Sequence, residues 1–213
     1  MEQKTYRGLS ITKTHGFDHQ NHSYRSVKQQ NIQSAVRQVY LNGRSMMADQ
    51  FHEDDGSMAT LMQILVFCNE NGDRSDEKPD QEKSLLDFAA AKGFYKKLFD
   101  KIVPKIAEVK MDGAPRTASA IIELNGRYRL LTKERPERVL GRCDKFLFKG
   151  KTIPLTMNMV ARVKNVYQRM ISDNLQVVML AVKDLEKLPV KLEPVFQADS
   201  LTLVGMIGLH DSL

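Results

Sequence analysis

Tryptophan is absent from the 213-residue sequence, cysteine occurs twice, and aromatic residues make up only 7%. Such thin aromatic content leaves little to stack on nucleic-acid bases. The 32 Lys and Arg are spread along the chain without a basic block, so a nucleic-acid partner is not expected. Long hydrophobic runs are missing too. The longest, 61–68 and 175–182, fall well short of the ~20 residues that cross a bilayer as a helix, so direct membrane insertion is not expected. Residues 1–8 are polar and hold no secretory apolar segment. Cys68 and Cys143 therefore read as reduced thiols of a cytosolic protein. No Gly-x-Ser-x-Gly or comparable context marks a nucleophile, and there is no internal repeat or low-complexity stretch.

What is there suits a globular domain. Hydrophobic residues are 42% and charged residues 27%, enough to form a core without staples. The net charge of +6 suits a phosphate-bearing ligand, an anionic membrane surface, or equally solvation alone. Residues 5–14 alternate polar and apolar, 15–21 read as a loop, and 22–28 as the return strand of a hairpin. Residues 29–50 are ambiguous: Ile32, Val36, Val39 and Tyr40 have helical spacing, which Asn42-Gly43 breaks. Ser57 is placed to cap a helix with a stripe of Met58, Leu61, Met62, Leu65 and Val66. A second helix starts at Asp80, turns Leu85, Leu86, Phe88 and Ala89 inward and ends at Gly93; 94–102 is a short amphipathic piece.

Strands are expected over 106–111, 119–124 and 127–132, the last two joined by Asn125-Gly126, a favoured tight-hairpin pair. Residues 136–141 read as a short helix. Thr156 caps a long helix with Met159, Val160, Val163, Val166, Tyr167, Met170 and Ile171 on one face. The run 175–182 is apolar enough to be buried on both sides. A proline-bearing loop, 185–198, precedes a last strand, 201–208. The set makes an α+β fold, a mainly antiparallel twisted sheet flanked by helix pairs.

Three polar features are weighed for metals. His15, Asp18, His19 and His22 crowd one loop at a spacing that can hold Zn²⁺ or Cu²⁺, but a polar hairpin loop accounts for them. The acidic stretches 54–56 and 70–80 lack full calcium-loop spacing and read as solvated. The 11 methionines mostly sit at core spacing, as filler. No metal site is assigned.

Short motifs follow one another in a particular order. Val66-Phe67-Cys68-Asn69 resembles a Leu-Cys-Asn signature, and Gln81-Glu82-Lys83-Ser84-Leu85-Leu86 resembles Thr-Glu-x-Ala-Leu-Leu. The run from Lys133-Glu134-Arg135-Pro136-Glu137 to Arg142-Cys143 resembles Lys-Gly-Ala-Pro-Glu-x-(Val/Ile)-Leu-x-Arg-Cys. Residues 174–185 resemble a Gly-Leu-Arg strand motif, and Leu201-Thr202-Leu203-Val204-Gly205 resembles Leu-Thr-Phe-Val-Gly. In this order and spacing, from about residue 61 onward, the chain resembles the nucleotide-binding (N) domain of P-type cation-transporting ATPases, calcium-pump-like members above all. On this resemblance 1–213 is a single domain, with 1–56 a weakly matched hairpin and insertion and 57–213 the recognisable core.

The resemblance implies ATP and ADP as ligands, a cytosolic position in a cation pump's headpiece, and a phosphorylation domain as partner. Glu82 aligns beside adenine, Lys133 with the pocket lysine, and Arg116 with a basic position near the phosphates. Met111 stands where the family has an adenine-stacking aromatic. Stacking is worth ~1–3 kcal/mol, of which a thioether over the ring recovers ~0.3–1.5 kcal/mol. Gln176 replaces an arginine, with the loss of a charge-assisted contact worth roughly 1.5–3 kcal/mol. Glu134-Arg135 replace Gly-Ala, and a glutamate aimed at the ligand would repel phosphate. The phosphorylated Asp-Lys-Thr-Gly-Thr motif and the Gly-Asp-Gly that accompanies it are absent from the sequence. By this route the chain alone should not turn over ATP, and Mg²⁺ would enter only with the phosphorylation domain. Two classes of function stay open: a nucleotide-binding pump domain, or a regulatory or protein-interaction module whose nucleotide site has degenerated.

Overall fold

A computed structural model describes residues 3–6, 9–12, 36–53, 55–69, 81–111 and 117–210. Gln3–Tyr6 (β1) pairs antiparallel with Leu9–Thr12 (β2) as a separate two-stranded sheet. The expected first strand, 5–14, is thus replaced by a shorter hairpin, β1 with β2. The remainder of the expected hairpin, 15–28, lies outside the described residues.

Val36–Leu41 (β3) and Arg44–Met47 (β4) form a hairpin across Asn42-Gly43, with φ of 52° and 75°. Positive φ at both central residues matches the right-handed twist of the flanking strands. The same pair that signalled a turn at 125–126 therefore decides the ambiguous stretch in favour of strand.

Gly56–Phe67 (α1) follows. Its cap is Asp55, not Ser57: the Asp55 carboxylate accepts from Ser57 N at 2.9 Å and Met58 N at 3.0 Å. Ser57 is instead buried, and its hydroxyl accepts from Gly150 N at 2.9 Å. Every residue of α1 after Gly56 is buried, so the expected stripe undercounts it. A helix apolar all round must lie inside, and α1 packs on both the sheet and two further helices. These are Gln81–Ala91 (α2) and Lys96–Ile102 (α3). Gly93 closes α2 as expected, with Phe94 N donating to Ala89 O and Gly93 N to Ala90 O.

Lys105–Met111 (β5), Thr117–Leu124 (β6) and Arg127–Glu134 (β7) form an antiparallel meander, β6 and β7 joined by Asn125-Gly126. Pro136–Val139 (α4) leads through a 3₁₀ turn to Cys143–Phe148 (β8) and Lys151–Pro154 (β9), a hairpin not expected from the sequence. Its turn is Lys149-Gly150, again positive in φ at both residues; lysine in place of asparagine hid it. Met157–Ser172 (α5) is capped by Thr156, as expected, and Leu175–Leu185 (β10) runs beyond the expected end. Inside the proline-bearing loop, Glu193–Phe196 is a short helix (α6), and Leu201–His210 (β11) closes the sheet.

The strand order is β4-β3-β11-β10-β7-β6-β5, with β8 alongside β11. Only the β8–β11 pair is parallel, so the expected α+β, mainly antiparallel fold is what is observed. Alternation along the strands gives two cores. Leu131, Val178, Leu180 and Val204 face α1, α2 and α3. Leu130, Val177, Met179 and Leu203 face α5 and its neighbours, where Val163, Val166 and Met170 are the buried residues of α5.

Candidate functional site

The site begins at the last rungs of β7. Lys133 lies inside the strand, paired with Ala118 on β6 and Leu180 on β10; the expected strand end at 132 falls two residues short. Alternation sends Leu131 and Lys133 toward α1. Lys133 is only 1% exposed. Its Nζ donates to Asn69 Oδ1, just beyond α1, and stands 3.8 Å from Glu82 Oε1 in the first turn of α2. The Asn69 amide is oriented by a second bond, Nδ2 to Leu65 O at 2.6 Å, which leaves its oxygen for the lysine. One residue from Glu82, Gln81 Nε2 donates to Gln176 Oε1 at 2.6 Å, tying the start of α2 to β10. Three of the expected site residues, Glu82, Lys133 and Gln176, are thus gathered at the start of α2.

Met111 ends β5 opposite Thr117, one rung beyond the Lys110–Ala118 pair, and Ala118 in turn pairs with Lys133. Its backbone is therefore at the same end of the meander as Lys133. Arg116 lies outside the described residues.

Glu134 takes the opposite face. Its carboxylate is buried and meets Arg138 at 3.2 Å and Arg142 at 3.6 Å. A glutamate aimed at the ligand would repel phosphate; here the side chain leaves the strand on the side opposite to that of Lys133, and two guanidiniums face its carboxylate. Arg142 also donates to the carbonyls of Phe196 at 2.9 Å and Ala198 at 2.8 Å, holding the α6 loop in place. Where the β6–β7 ladder ends there is a cavity of about 500 Å³, lined by Val109, Ser119, Lys133, Glu134, Arg138 and Phe196 among others. Of the expected site residues it takes in Lys133, and neither Glu82 nor Gln176 lines it. Its size is right for a small ligand.

Asn69, Gln81, Arg138 and Arg142 were assigned no role from the sequence. Asn69 and Gln81 sat inside quoted motifs, and only tertiary packing reveals them as partners of Lys133 and Gln176. Among the described residues no group of three His, Cys, Asp or Glu comes together as metal ligands. The His15, Asp18, His19 and His22 cluster lies outside the described residues.

Burial pushes both thiols up to about 12: Cys68, against the opposing pull of the Lys133 cation, and Cys143, against that of Arg142. In the unfolded chain each thiol would ionise near the ordinary value of 9.0. Between these limits the unfolded state has lost protons that the native state keeps, so stability present below pH 9 is lost as pH rises toward 12. Each thiol contributes a loss of up to about 1.4 kcal/mol per pH unit. Urea midpoints should fall steadily from pH 8 to 10, and Ellman's reagent should react with neither native thiol at pH 8. A midpoint constant over that range, or rapid reaction, would contradict this placement.

Scanned against protein-family models, residues 57–213 match the model described as P-type ATPase, cytoplasmic domain N. A search of curated proteins returned no match.

Proposed function

The chain belongs to the P-type ATPase cytoplasmic N-domain family, and from that membership we propose that it binds ATP and ADP as the nucleotide-binding part of a cation pump's cytosolic headpiece. The single observation that carries this reading is the meeting of Glu82 and Lys133. The two lie on separate elements, yet a buried amine and a buried carboxylate stand 3.8 Å apart at the end of the meander. A carboxylate can accept from the exocyclic amine of adenine, and a lysine can donate to the ligand. Met111 would cover the base from the end of β5. Arg116 would stand near the phosphates, and Gln176 would hold the start of α2, and with it Glu82, through its bond to Gln81. The sequence has neither an acceptor Asp-Lys-Thr-Gly-Thr nor its Gly-Asp-Gly companion. Hydrolysis and Mg²⁺ are accordingly assigned to a phosphorylation domain supplied by the rest of such a pump.

A second reading has its own support. The Lys133 amine already bonds Asn69, and Gln176 already bonds Gln81, so part of the polar set is satisfied within the protein. This favours an N-domain-like regulatory or interaction module whose nucleotide site has degenerated.

An amide-NMR titration with ATP, ADP and GTP separates the two. Saturable shifts at Glu82, Met111 and Lys133, absent in Lys133→Ala, are expected for the first reading. No shifts up to about 10 mM, a binding free energy weaker than roughly −3 kcal/mol, would leave the second.

A further inference from the structure

The basic residues form no block, yet one stretch holds six of them with no acidic residue among them. Between Lys145 and Ser172 the sequence has Lys145, Lys149, Lys151, Arg162, Lys164 and Arg169 and not one Asp or Glu. That stretch alone therefore carries a charge of +6. The fold makes it a continuous unit, the β8–β9 hairpin leading through Leu155-Thr156 into α5. All six cations are exposed. Among the described residues only Lys145 has a carboxylate within ion-pair reach, its neighbour Asp144 at 3.7 Å.

Apolar side chains are exposed among these cations. Met157 is 81% exposed at the start of α5, Ile171 44% near its end, and Phe148 38% beside the hairpin turn, with Lys149 Nζ 5.7 Å from its ring. On α5 the positions Met157, Ala161, Lys164, Gln168 and Ile171 recur at alternating steps of four and three. They therefore form one stripe on the side away from buried Val163, Val166 and Met170. Arg162 and Arg169 lie on the same exposed side of α5, beyond the row of Asn158 and Asn165.

We infer that this face, the β8–β9 hairpin with α5, docks on an anionic lipid surface. Cations draw it to the headgroups, and the exposed Met157, Ile171 and Phe148 enter the shallow boundary between headgroup and acyl chain. A nucleic-acid backbone would use the cations but has no place for exposed aliphatic side chains between them. Each Lys or Arg near an anionic membrane raises partitioning by about fivefold, so three such residues account for about 100-fold.

The test is co-sedimentation of the full chain with vesicles of phosphatidylcholine alone or mixed with phosphatidylglycerol, at low and high salt. Binding to the mixed vesicles, none to phosphatidylcholine, and loss at high salt are expected. The variant Arg162→Glu, Lys164→Glu, Arg169→Glu should lose at least about 100-fold in partitioning with an unchanged circular dichroism spectrum. Met157→Ser with Ile171→Ser should weaken binding while keeping its salt dependence. A control with the same charge change elsewhere, Lys83→Glu, Lys97→Glu, Lys101→Glu, should stay bound. Failure to sediment with the mixed vesicles, equal loss in the control, or tighter binding to a duplex oligonucleotide than to the vesicles would each overturn the inference.

Discussion

Lys133→Met should destabilise the domain by about 3–5 kcal/mol, the usual cost of removing one partner of a buried ion pair. The size of the effect comes from what is left behind. Glu82 is 6% exposed, and its carboxylate would lose the amine 3.8 Å away. Asn69 would lose the donor to its Oδ1, while its Nδ2 stays fixed on Leu65. Methionine fills a similar volume, so the loss is electrostatic and not a cavity. In a chain of this length each kcal/mol moves Tm by about 2–4 °C, which places the variant roughly 10 °C below the parent. Adding Glu82→Gln removes the stranded charge, and the double variant should regain a large part of that loss. Urea unfolding of the parent, both singles and the double would check it. A Lys133→Met midpoint within the error of the parent would mean that the pair does not hold α2 to the sheet.

The same pair shows how far the sequence could be read. Its two members were identified by resemblance, and the fold places them 3.8 Å apart. What could not be read was direction. A residue's neighbours across a sheet depend on register, and register is set by turns. Asn125-Gly126 announced its hairpin; Lys149-Gly150 did not, because lysine rarely tolerates a positive φ and carries no such signal. Without β8 and β9 there was no partner for Ser57, so it was assigned a capping role that Asp55 fills. Whether Glu134 aims at a ligand could not be read from its place after Lys133, because neighbouring strand residues point apart. The Ser57 hydroxyl is engaged by Gly150, far along the chain, and the Glu134 carboxylate by Arg138 and Arg142, four and eight residues on.

Gly205→Ala should cost about 3 kcal/mol or more, at the upper end of what overpacking does. Strand propensity alone predicts the reverse, since glycine in a strand interior is unfavourable by roughly 0.5–1 kcal/mol relative to alanine. Sterics decides the sign. Val204 is an extra residue in β11, so that Leu180 of β10 opposes Gly205 and Ala181 opposes Leu203. Such a bulge bends the strand. Beside it a β-carbon on Gly205 would run into the carbonyl oxygen of Tyr40 on β3, with Leu61 of α1 at 3.5 Å behind. A carbonyl in a ladder cannot swing aside as a side chain can, so β3 and β11 would have to separate. Gly208, three residues on, provides the internal comparison. There the added carbon meets Leu175 Cδ1 at 2.8 Å, the far end of a flexible side chain, and Gly208→Ala should cost roughly 1 kcal/mol. Thermal unfolding of the two variants side by side reads the difference as about 4–8 °C in Tm. Equal melting points would show that β3 yields as easily as a leucine methyl, and the close approach of β3 to β11 at Tyr40 would then not be a constraint on the fold.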